Sequence, residues 1–370
     1  MKKYYATYLF LIVITLPIVM ELFEKISGVQ DENESSGVPS FSLEAGEAVK
    51  ANTFLGFVAN LHVDLSNYRK KLDKHYRFKN ILRPVLMKPY NVLKSDVFNI
   101  NPIPEKVITG DDGWMFLGEN HSNVISETIG LLTFSETELK TREEYYLIKN
   151  KWFKENNINY SMTIAPNKHS VYREYLPIKK INNKTKFVQL KAVFKISDFK
   201  LIDLADYYDK HKNEKLFYKT DSHWNSMGAF LAYQKIMDEL KQYFPEINSL
   251  KLKDFDVELM TTTQGDLTSM LDIKIKEENK VLSLKNPTAE QVINNKINHS
   301  KYIYSELRYN SSANKLKVVV FGDSYSAGLV KYLKESFGVS VFYSNLDFDY
   351  ELILKEKPDL VIQELAERGL

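Results

Sequence analysis

The chain has 370 residues, 44% hydrophobic and 13% aromatic, which is enough apolar material for one large α/β domain or two smaller ones. Fifty Lys and Arg side chains nearly balance 48 Asp and Glu side chains, so the net charge of +2 gives no electrostatic basis for nucleic-acid binding. Cysteine is absent, which excludes disulfides and a thiolate nucleophile and is compatible with an oxidising compartment.

The N-terminus combines positive charge with a hydrophobic run. Lys2 and Lys3 precede an apolar stretch from Tyr4 to Met20, and acidic residues follow it. This asymmetry orients the N-terminus to the cytoplasm. Residues 1–27 therefore predict a signal anchor or a signal peptide, and a buried N-terminal helix is the remaining alternative. An uncleaved anchor in the inner membrane is favoured, because no small-x-small cleavage site follows the run. Either kind of signal places the body of the protein in the periplasm or on the periplasmic face of that membrane.

A polar, acidic stretch separates this segment from the rest of the chain. Residues 28–48 contain Gly and Ser and predict a tether. Residues 49–370 predict a folded domain, which begins with a helical pattern in residues 50–98. In residues 105–120, a Gly-Asp-Asp-Gly turn joins two predicted strands.

Helices and strands then alternate. Residues 134–157 predict a helix with Ser135 as its N-cap and Glu138 three positions later. Residues 158–166 predict a buried strand. The recurrence of strand after helix indicates βα units and a parallel sheet. Residues 278–314 are rich in Asn, Lys and Ser and predict an insertion or a flexible surface segment.

The last sixty residues show the clearest pattern. Residues 315–324 form a continuous apolar strand that ends in a turn, as is typical of strands buried on both faces. A helix follows and stops at Gly338. Residues 339–345 predict another strand, and residues 351–370 predict a helix, a turn and a final strand. The predicted fold class is α/β, with a parallel sheet flanked by helices.

The turn Gly322-Asp323-Ser324 lies where a buried strand leads into a helix. Ligands of α/β folds bind at the carboxyl ends of the strands, and N–H groups at a helix start can stabilise an oxyanion there. Ser324 is therefore a candidate nucleophile. The alternative is a plain helix N-cap without further function.

A serine nucleophile needs a base. Of the seven histidines, only His223 has a carboxylate two residues earlier and a predicted helix start just after it. Asp221 can accept a hydrogen bond from Nδ1–H of His223 and leave Nε2 for Ser324. Asn225 or Ser226 can cap the helix. Two alternatives are a polar turn and half of a metal site; no metal is predicted, because no second His/Asp cluster is seen.

Six stretches carry a recognisable pattern: LDKHYRFKNIL (72–82), GDDGWMFLG (110–118), IAPNKHSVYREYLP (164–177), TDSHWNSMGA (220–229), GDLTSML (265–271) and LAERGL (365–370). Together they resemble the alginate O-acetyltransferase group of SGNH-hydrolase-like proteins, the AlgJ/AlgX-like family. The resemblance covers roughly residues 50–370, and its two tryptophan-bearing motifs are the specific ones.

The resemblance implies a flavodoxin-like α/β fold of the SGNH-hydrolase type and a polysaccharide O-acetyltransferase activity. It makes Ser324 the nucleophile, His223 the general base and Asp221 the residue that orients His223. Asp-x-His precedes the serine here, which reverses the order in common SGNH enzymes. The resemblance also implies a polysaccharide acceptor and acetyl groups supplied by a membrane-bound O-acyltransferase partner. No cofactor is expected.

Further candidates for the oxyanion hole or for substrate binding are Asn167, Lys168, Trp114, Trp224 and Tyr325. Asn167 and Lys168 follow a predicted strand, and the Ser324 N–H is expected to contribute to the oxyanion hole. The two tryptophans can stack on a sugar or pack in the core, of which packing is favoured. Glu367 and Arg368 predict a structural ion pair.

Two other functions are compatible with these residues. The same Ser, His and Asp can serve a carbohydrate acetylesterase. A non-catalytic protein that binds or assembles a polysaccharide is the third possibility, although an intact set of three residues disfavours it.

Overall fold

The computed structural model describes residues 101, 103–196, 200–263, 265–298, 303–344 and 349–370. The predicted anchor, the tether, the helical pattern of residues 50–98 and the motif at 72–82 lie outside the described residues. The strands within these ranges are β1 (Val107–Thr109), β2 (Met115–Leu117), β3 (Asn159–Ala165), β4 (Leu201–Asp203), β5 (Phe255–Thr262), β6 (Glu277–Leu284), β7 (Glu290–Asn298), β8 (Ile303–Asn310), β9 (Lys317–Phe321), β10 (Val339–Tyr343) and β11 (Leu360–Ala366). The α-helices are α1 (Val124–Thr128), α2 (Glu136–Glu155), α3 (Lys168–Val171), α4 (Lys186–Ile196), α5 (Ala205–His211), α6 (Ser226–Leu240), α7 (Asp266–Leu271), α8 (Ser326–Leu333) and α9 (Tyr350–Glu356).

A seven-stranded sheet with the order β4-β3-β11-β9-β10-β8-β7 forms the centre of the described part. The pairs from β4 to β10 are parallel, whereas β8 pairs antiparallel with β10 and with β7. The sheet is therefore mixed, and the prediction of a parallel sheet is correct only for its first five strands. Two further antiparallel pairs, β1–β2 and β5–β6, lie outside this sheet.

The alternative of a flexible segment for residues 278–314 was wrong, because they supply most of β6 and all of β7 and β8. The short link between β7 and β8 permits only antiparallel pairing, since a parallel pair needs a crossover of a dozen or more residues. Most of the described side chains of β7 are exposed. Their polar composition therefore resembles that of a surface segment, while the backbone ladder holds the strand in place.

Side chains of β9 alternate between two hydrophobic clusters on opposite faces of the sheet. Val318 and Val320 pack with residues of α6 and α8, and Val319 and Phe321 pack with residues of α2 and α4. All four are essentially buried, which confirms the prediction from the continuous apolar run. Burying each such side chain contributes about 1.5–3 kcal/mol.

Polar caps fix the starts of two helices. At α2, the Glu138 N–H donates to Ser135 Oγ at 3.3 Å, and the Ser135 N–H donates to Glu138 Oε2 at 2.8 Å, which confirms the predicted capping box. At α6, the Gly228 N–H donates to Asn225 Oδ1 at 3.0 Å. The cap at Asn225 starts α6 directly after the Asp-x-His segment.

The β1–β2 hairpin confirms the predicted strand, turn and strand of residues 105–120. Its turn uses left-handed backbone at Asp112, with φ of 52°, and at Gly113, with φ of 73°. The hairpin also reaches a distant loop, because the Met115 N–H donates to the Lys219 carbonyl oxygen at 3.0 Å. Lys219 Nζ in turn lies 2.9 Å from Asp112 Oδ2. The loop that leads to Asp221 is thus attached to the hairpin at two points.

Candidate active site

The carboxyl ends of β3, β9 and β11 lie side by side at one edge of the sheet, because these strands are parallel neighbours. Ser324 follows β9 in the turn before α8 and is exposed. Asp323 holds this turn: its Oδ1 accepts from the Tyr325 N–H at 2.9 Å and its Oδ2 from the Ala366 N–H at 2.7 Å. Gly322 is required by space, since a Cβ there would lie 2.4 Å from the Cβ of Ser326.

The structure brings Asp221, His223 and Ser324 into one chain of contacts. His223 Nε2 lies 2.8 Å from Ser324 Oγ, and His223 Nδ1 lies 2.8 Å from Asp221 Oδ1. The His223 side chain is 30% exposed, so the imidazole and the serine hydroxyl face solvent at the sheet edge. A hydroxyl, an imidazole and a carboxylate in this order can deprotonate the hydroxyl and stabilise the resulting imidazolium.

Asp221 is held by hydrogen bonds on both carboxylate oxygens. Oδ1 also accepts from the His223 N–H at 2.9 Å, and Oδ2 accepts from the Asp266 N–H at 2.9 Å. Burial alone would raise the pKa of Asp221, but the hydrogen bonds from His223 and Asp266 lower it below its usual value. Asp221 is therefore ionised at neutral pH, and its carboxylate can accept the Nδ1–H of His223.

Asp266 is a further member of the site, and it is not among the candidate residues predicted from the sequence. Its Oδ2 lies 3.7 Å from His223 Nδ1, and its Oδ1 accepts from the Ser222 N–H at 2.7 Å. Gly265 permits this approach, because a Cβ there would lie 2.3 Å from the Thr220 carbonyl oxygen. The Gly-Asp-Leu motif at 265–267 is the signal that could have identified the residue.

Asp221, His223 and Asp266 offer ligand atoms within 4.8 Å of one another. Such a group can hold a metal ion, with Asp266 as a third possible ligand beside Asp221 and His223. Its carboxylate oxygens, however, already accept hydrogen bonds from the protein. Asp221 binds N–H groups of His223 and Asp266, and Asp266 binds the N–H and hydroxyl of Ser222. These hydrogen bonds account for the cluster without an ion.

Lys168 binds the backbone of the loop that carries Asp221. It is 2% exposed, and its Nζ donates to three carbonyl oxygens: Tyr218 at 3.0 Å, Lys219 at 3.2 Å and Asp221 at 2.7 Å. Burial lowers the pKa of Lys168 to about 7, against the opposing effect of nearby carboxylates. Because all three contacts of Nζ go to this loop, Lys168 positions Asp221 and does not offer a free donor to an oxyanion.

We expect Lys168→Met to lower the reactivity of Ser324 by about 10- to 100-fold, because three carbonyl groups lose their donor and Asp221 is displaced. The rate at which an activated ester or a sulfonyl fluoride labels Ser324 measures this effect. Lys149→Met is the matched control, since Lys149 is also buried but contacts Gln363 at 2.8 Å. Equal losses in both variants would contradict the positioning role.

The same variant has a pH signature in the free energy of unfolding. The pKa of Lys168 is lowered in the folded chain to about 7 from an ordinary value of 10.5. Between these values the unfolded chain binds a proton that the folded chain does not, so this residue makes stability rise with pH. Urea unfolding at several pH values across this window should show wild-type stability rising relative to Lys168→Met.

Asn167 and the C-terminal motif meet beside the site. The Asn167 N–H donates to Glu367 Oε2 at 2.8 Å, and Ser170 Oγ donates to Glu367 Oε1 at 2.9 Å. Arg368 instead lies over the Tyr325 ring, 5.2 Å from its centroid. Glu367 and Arg368 thus make separate contacts, and the predicted ion pair between them is not formed. The Asn167 side chain does not cap α3.

Residues 107–347 match the family described as "SGNH hydrolase-like domain, acetyltransferase AlgX". This match spans more than half of the chain. The chain belongs to this family. No curated protein sequence matches the chain.

Several solved structures are similar to this member of the acetyltransferase AlgX family at low sequence identity. Bacillus cereus PatB1 has a TM-score of 0.51 and 16% identity over 70% of this chain and 95% of its own. The O-acetyltransferase domain of Pseudomonas putida AlgJ has a TM-score of 0.46 and 19% identity, over 71% and 91%. Pseudomonas aeruginosa AlgX has a TM-score of 0.47 and 17% identity, over 70% and 62%. The family match gives an SGNH-hydrolase-like domain, and the likeness to PatB1 supports the α/β fold described above.

The remaining candidates in this AlgX-family protein are core residues. Trp114 and Trp224 are 3% and 5% exposed, so neither indole offers a free face to a sugar, and the favoured prediction of core packing is confirmed. Trp114 stacks on Tyr172 with centroids 4.1 Å apart, and Trp224 meets the Tyr325 ring edge to face at 4.9 Å. Tyr325 is 1% exposed, and its hydroxyl donates to the Ser222 carbonyl oxygen at 2.8 Å. It braces the Asp-x-His segment against the Ser324 turn.

Within the described ranges, no helix combines the length and the apolar character needed to cross a membrane.

Proposed function

We propose that this protein is an O-acetyltransferase that acetylates hydroxyl groups of an exported polysaccharide through an acyl-enzyme on Ser324. The observation that carries the proposal is the chain of contacts Asp221–His223–Ser324, with both distances 2.8 Å, in a member of an acetyltransferase family. The proposed chemistry uses only side chains and backbone groups of this chain and no cofactor.

In the proposed first half-reaction, Ser324 Oγ attacks the carbonyl carbon of an acetyl donor while its proton moves to His223 Nε2. Asp221 holds the Nδ1–H and stabilises the imidazolium. The tetrahedral intermediate then collapses, and the leaving group takes the proton from Nε2. The first half-reaction therefore leaves an acetyl ester on Ser324 and a neutral His223.

In the second half-reaction, a sugar hydroxyl attacks the ester carbonyl and gives its proton to His223 Nε2. Collapse of this intermediate releases the acetylated sugar and returns the proton to Ser324 Oγ. The same imidazole therefore serves as base and then as acid in each half. Because Ser324 is exposed, a bulky acceptor can reach the ester.

Two donors are proposed for the oxyanion that forms in each half. The Ser324 N–H makes no hydrogen bond to any described residue, because Asp323 instead binds the Tyr325 N–H. The Asn167 side-chain amide is the second, and it too has no partner among the described residues. Each well-aligned donor contributes about 10²- to 10³-fold to the rate of such reactions.

The location and the partner are proposed from the sequence. The charge asymmetry of residues 1–27 supports an anchor in the inner membrane with the body on its periplasmic side. On that side an acetyl donor must be delivered across the membrane. A membrane-bound O-acyltransferase is the proposed supplier, and the acceptor is a polysaccharide in transit.

An acetylesterase is the competing function, and one observation favours it. Ser324 is exposed and the His223 side chain is 30% exposed, so water can reach the acyl-enzyme. Acetate release and acetyl transfer should be measured on the same acyl-enzyme, with and without oligosaccharide acceptors. Transfer is supported if acceptor lowers acetate release and acetylated sugar appears in its place. Acetate release that no acceptor changes would identify an esterase.

A further inference from the structure

A buried carboxyl group lies under the turn that carries Ser324. Glu364 is on β11, the neighbour of β9, and is 0% exposed. Its Oε2 accepts from the Asp323 N–H at 3.2 Å, whereas its Oε1 has no hydrogen-bond partner among the described residues. A Cβ on Gly322 would lie 3.0 Å from Glu364 Oε2, so the turn and the carboxyl group are in direct contact.

The second carboxyl group at this place belongs to Asp323, whose side chain lies within hydrogen-bond reach of the Glu364 carboxyl group. Both of its oxygens accept backbone N–H groups, from Tyr325 at 2.9 Å and from Ala366 at 2.7 Å. Two adjacent carboxylates cannot both ionise without strong repulsion, so the buried partner keeps its proton. Burial first, and the charge of Asp323 second, raise the pKa of Glu364 well above its usual range.

We propose that Glu364 is a positioning residue: as a neutral carboxylic acid it accepts the Asp323 N–H and donates its proton to the Asp323 carboxylate, which fixes the turn that presents Ser324. The proposal rests on the proposed role of Ser324 as nucleophile. Ionisation of Glu364 would place two negative charges against each other and push the turn away from His223.

Two substitutions separate the hydrogen bonds from simple space filling. Glu364→Gln can accept the Asp323 N–H with its amide oxygen and donate from its amide nitrogen to the Asp323 carboxylate. Glu364→Leu fills similar space without either bond. In the full-length chain, the rate at which a sulfonyl fluoride labels Ser324 should stay within about twofold of wild type for Gln and fall about 10- to 100-fold for Leu, as expected for a displaced nucleophile. Labelling of Ser324 in Glu364→Leu at the wild-type rate would overturn the proposal.

Glu335→Leu is the matched control. Glu335 is also buried, and one of its carboxyl oxygens makes no hydrogen bond to a described residue. Its other oxygen accepts from the N–H groups of Thr288 and Ala289. Glu335 follows the C-terminal end of α8, whereas Ser324 precedes its N-terminal end. This variant should lose stability and keep its Ser324 labelling rate. A loss of labelling equal to that of Glu364→Leu would show that general destabilisation, and not the turn, explains the effect.

The pH dependence of the rate of Ser324 labelling distinguishes the proposed role of Glu364 from a purely structural one. The charged and titratable groups that act on Glu364 or respond to it are Asp323, Arg368, Tyr208 and Tyr325. Wild-type labelling should decline at alkaline pH as Glu364 loses its proton, whereas Glu364→Gln should show no decline. Identical alkaline profiles for the two proteins would contradict the proposal.

Thermal unfolding tests Glu364 without any reaction. A carboxyl group whose pKa is raised by folding makes stability fall as pH rises above its ordinary value, because only the folded chain keeps the proton. As pH rises above the ordinary carboxyl range, the unfolding midpoint of Glu364→Gln should therefore rise relative to wild type. Parallel curves would contradict the proposal. If Ser324 of the wild type never reacts, the proposed function fails, and the unfolding result still decides whether Glu364 is a neutral acid.

Discussion

Replacing Ser324 with alanine is expected to abolish acyl-enzyme formation and to lower acetyl transfer by about 10⁴- to 10⁶-fold. In the proposed mechanism Ser324 Oγ carries the acetyl group, and among the described residues it is the side-chain atom that hydrogen-bonds to His223 Nε2, at 2.8 Å. Incubation with an activated acetyl ester, followed by mass spectrometry of peptides, measures the adduct directly. The wild-type peptide that contains Ser324 should gain one acetyl group.

Ser344→Ala is the control for this experiment. Ser344 is an exposed serine directly after β10, the parallel neighbour of β9, so it lies at the same edge of the sheet. Its hydroxyl accepts the Ser305 N–H at 2.9 Å. This variant should acylate at the wild-type rate. An acetyl group on a peptide without Ser324 would refute the assignment, and cells that keep acetylating their polymer with Ser324→Ala would favour a non-catalytic assembly role.

The fold could be predicted where local pattern and final structure agree. The apolar run before Ser324 predicts a strand buried on both faces, and Val318 to Phe321 do contact hydrophobic clusters on both sides of the sheet. The capping box at Ser135 predicts the start of α2 for a similar reason, since its hydrogen bonds join residues three positions apart. The strands β7 and β8 gave no such signal, because β7 is a polar edge strand and backbone hydrogen bonds to β8 hold it in the sheet.

The site could be predicted in part for the same reason. Asp221 and His223 are two positions apart, and Ser324 follows an identifiable strand, so the order of the three side chains is visible in the sequence. The contacts that support them join distant parts of the chain. Lys168 binds residues about fifty positions later in the sequence, and Glu364 on β11 contacts Asp323, which follows the adjacent strand β9. Such contacts depend on sheet order, which a single sequence does not encode locally.

Replacing Asp221 with asparagine is expected to lower the rate of acylation by about 10⁴-fold while the fold is kept. The Asp221 carboxylate accepts from His223 Nδ1 at 2.8 Å and so fixes the tautomer that leaves Nε2 free to accept the Ser324 proton. An asparagine amide can donate to Nδ1 instead, which places the imidazole proton on Nε2 and blocks that step. Burst kinetics with an activated ester, together with circular dichroism, measure the rate and the fold.

Asp266→Asn is the matched control for the substitution of Asp221. Asp266 Oδ2 lies 3.7 Å from the same Nδ1, beyond hydrogen-bond distance, and binds Ser222. Asp266 contributes negative charge near the imidazole but does not set the tautomer. The acylation rate of Asp266→Asn should therefore fall only about tenfold, a decrease about a thousand times smaller than that of the Asp221 variant. Equal losses would mean that His223 responds to the summed charge of both carboxylates. A larger loss at Asp266 would mean that the imidazole turns toward Asp266 during the reaction.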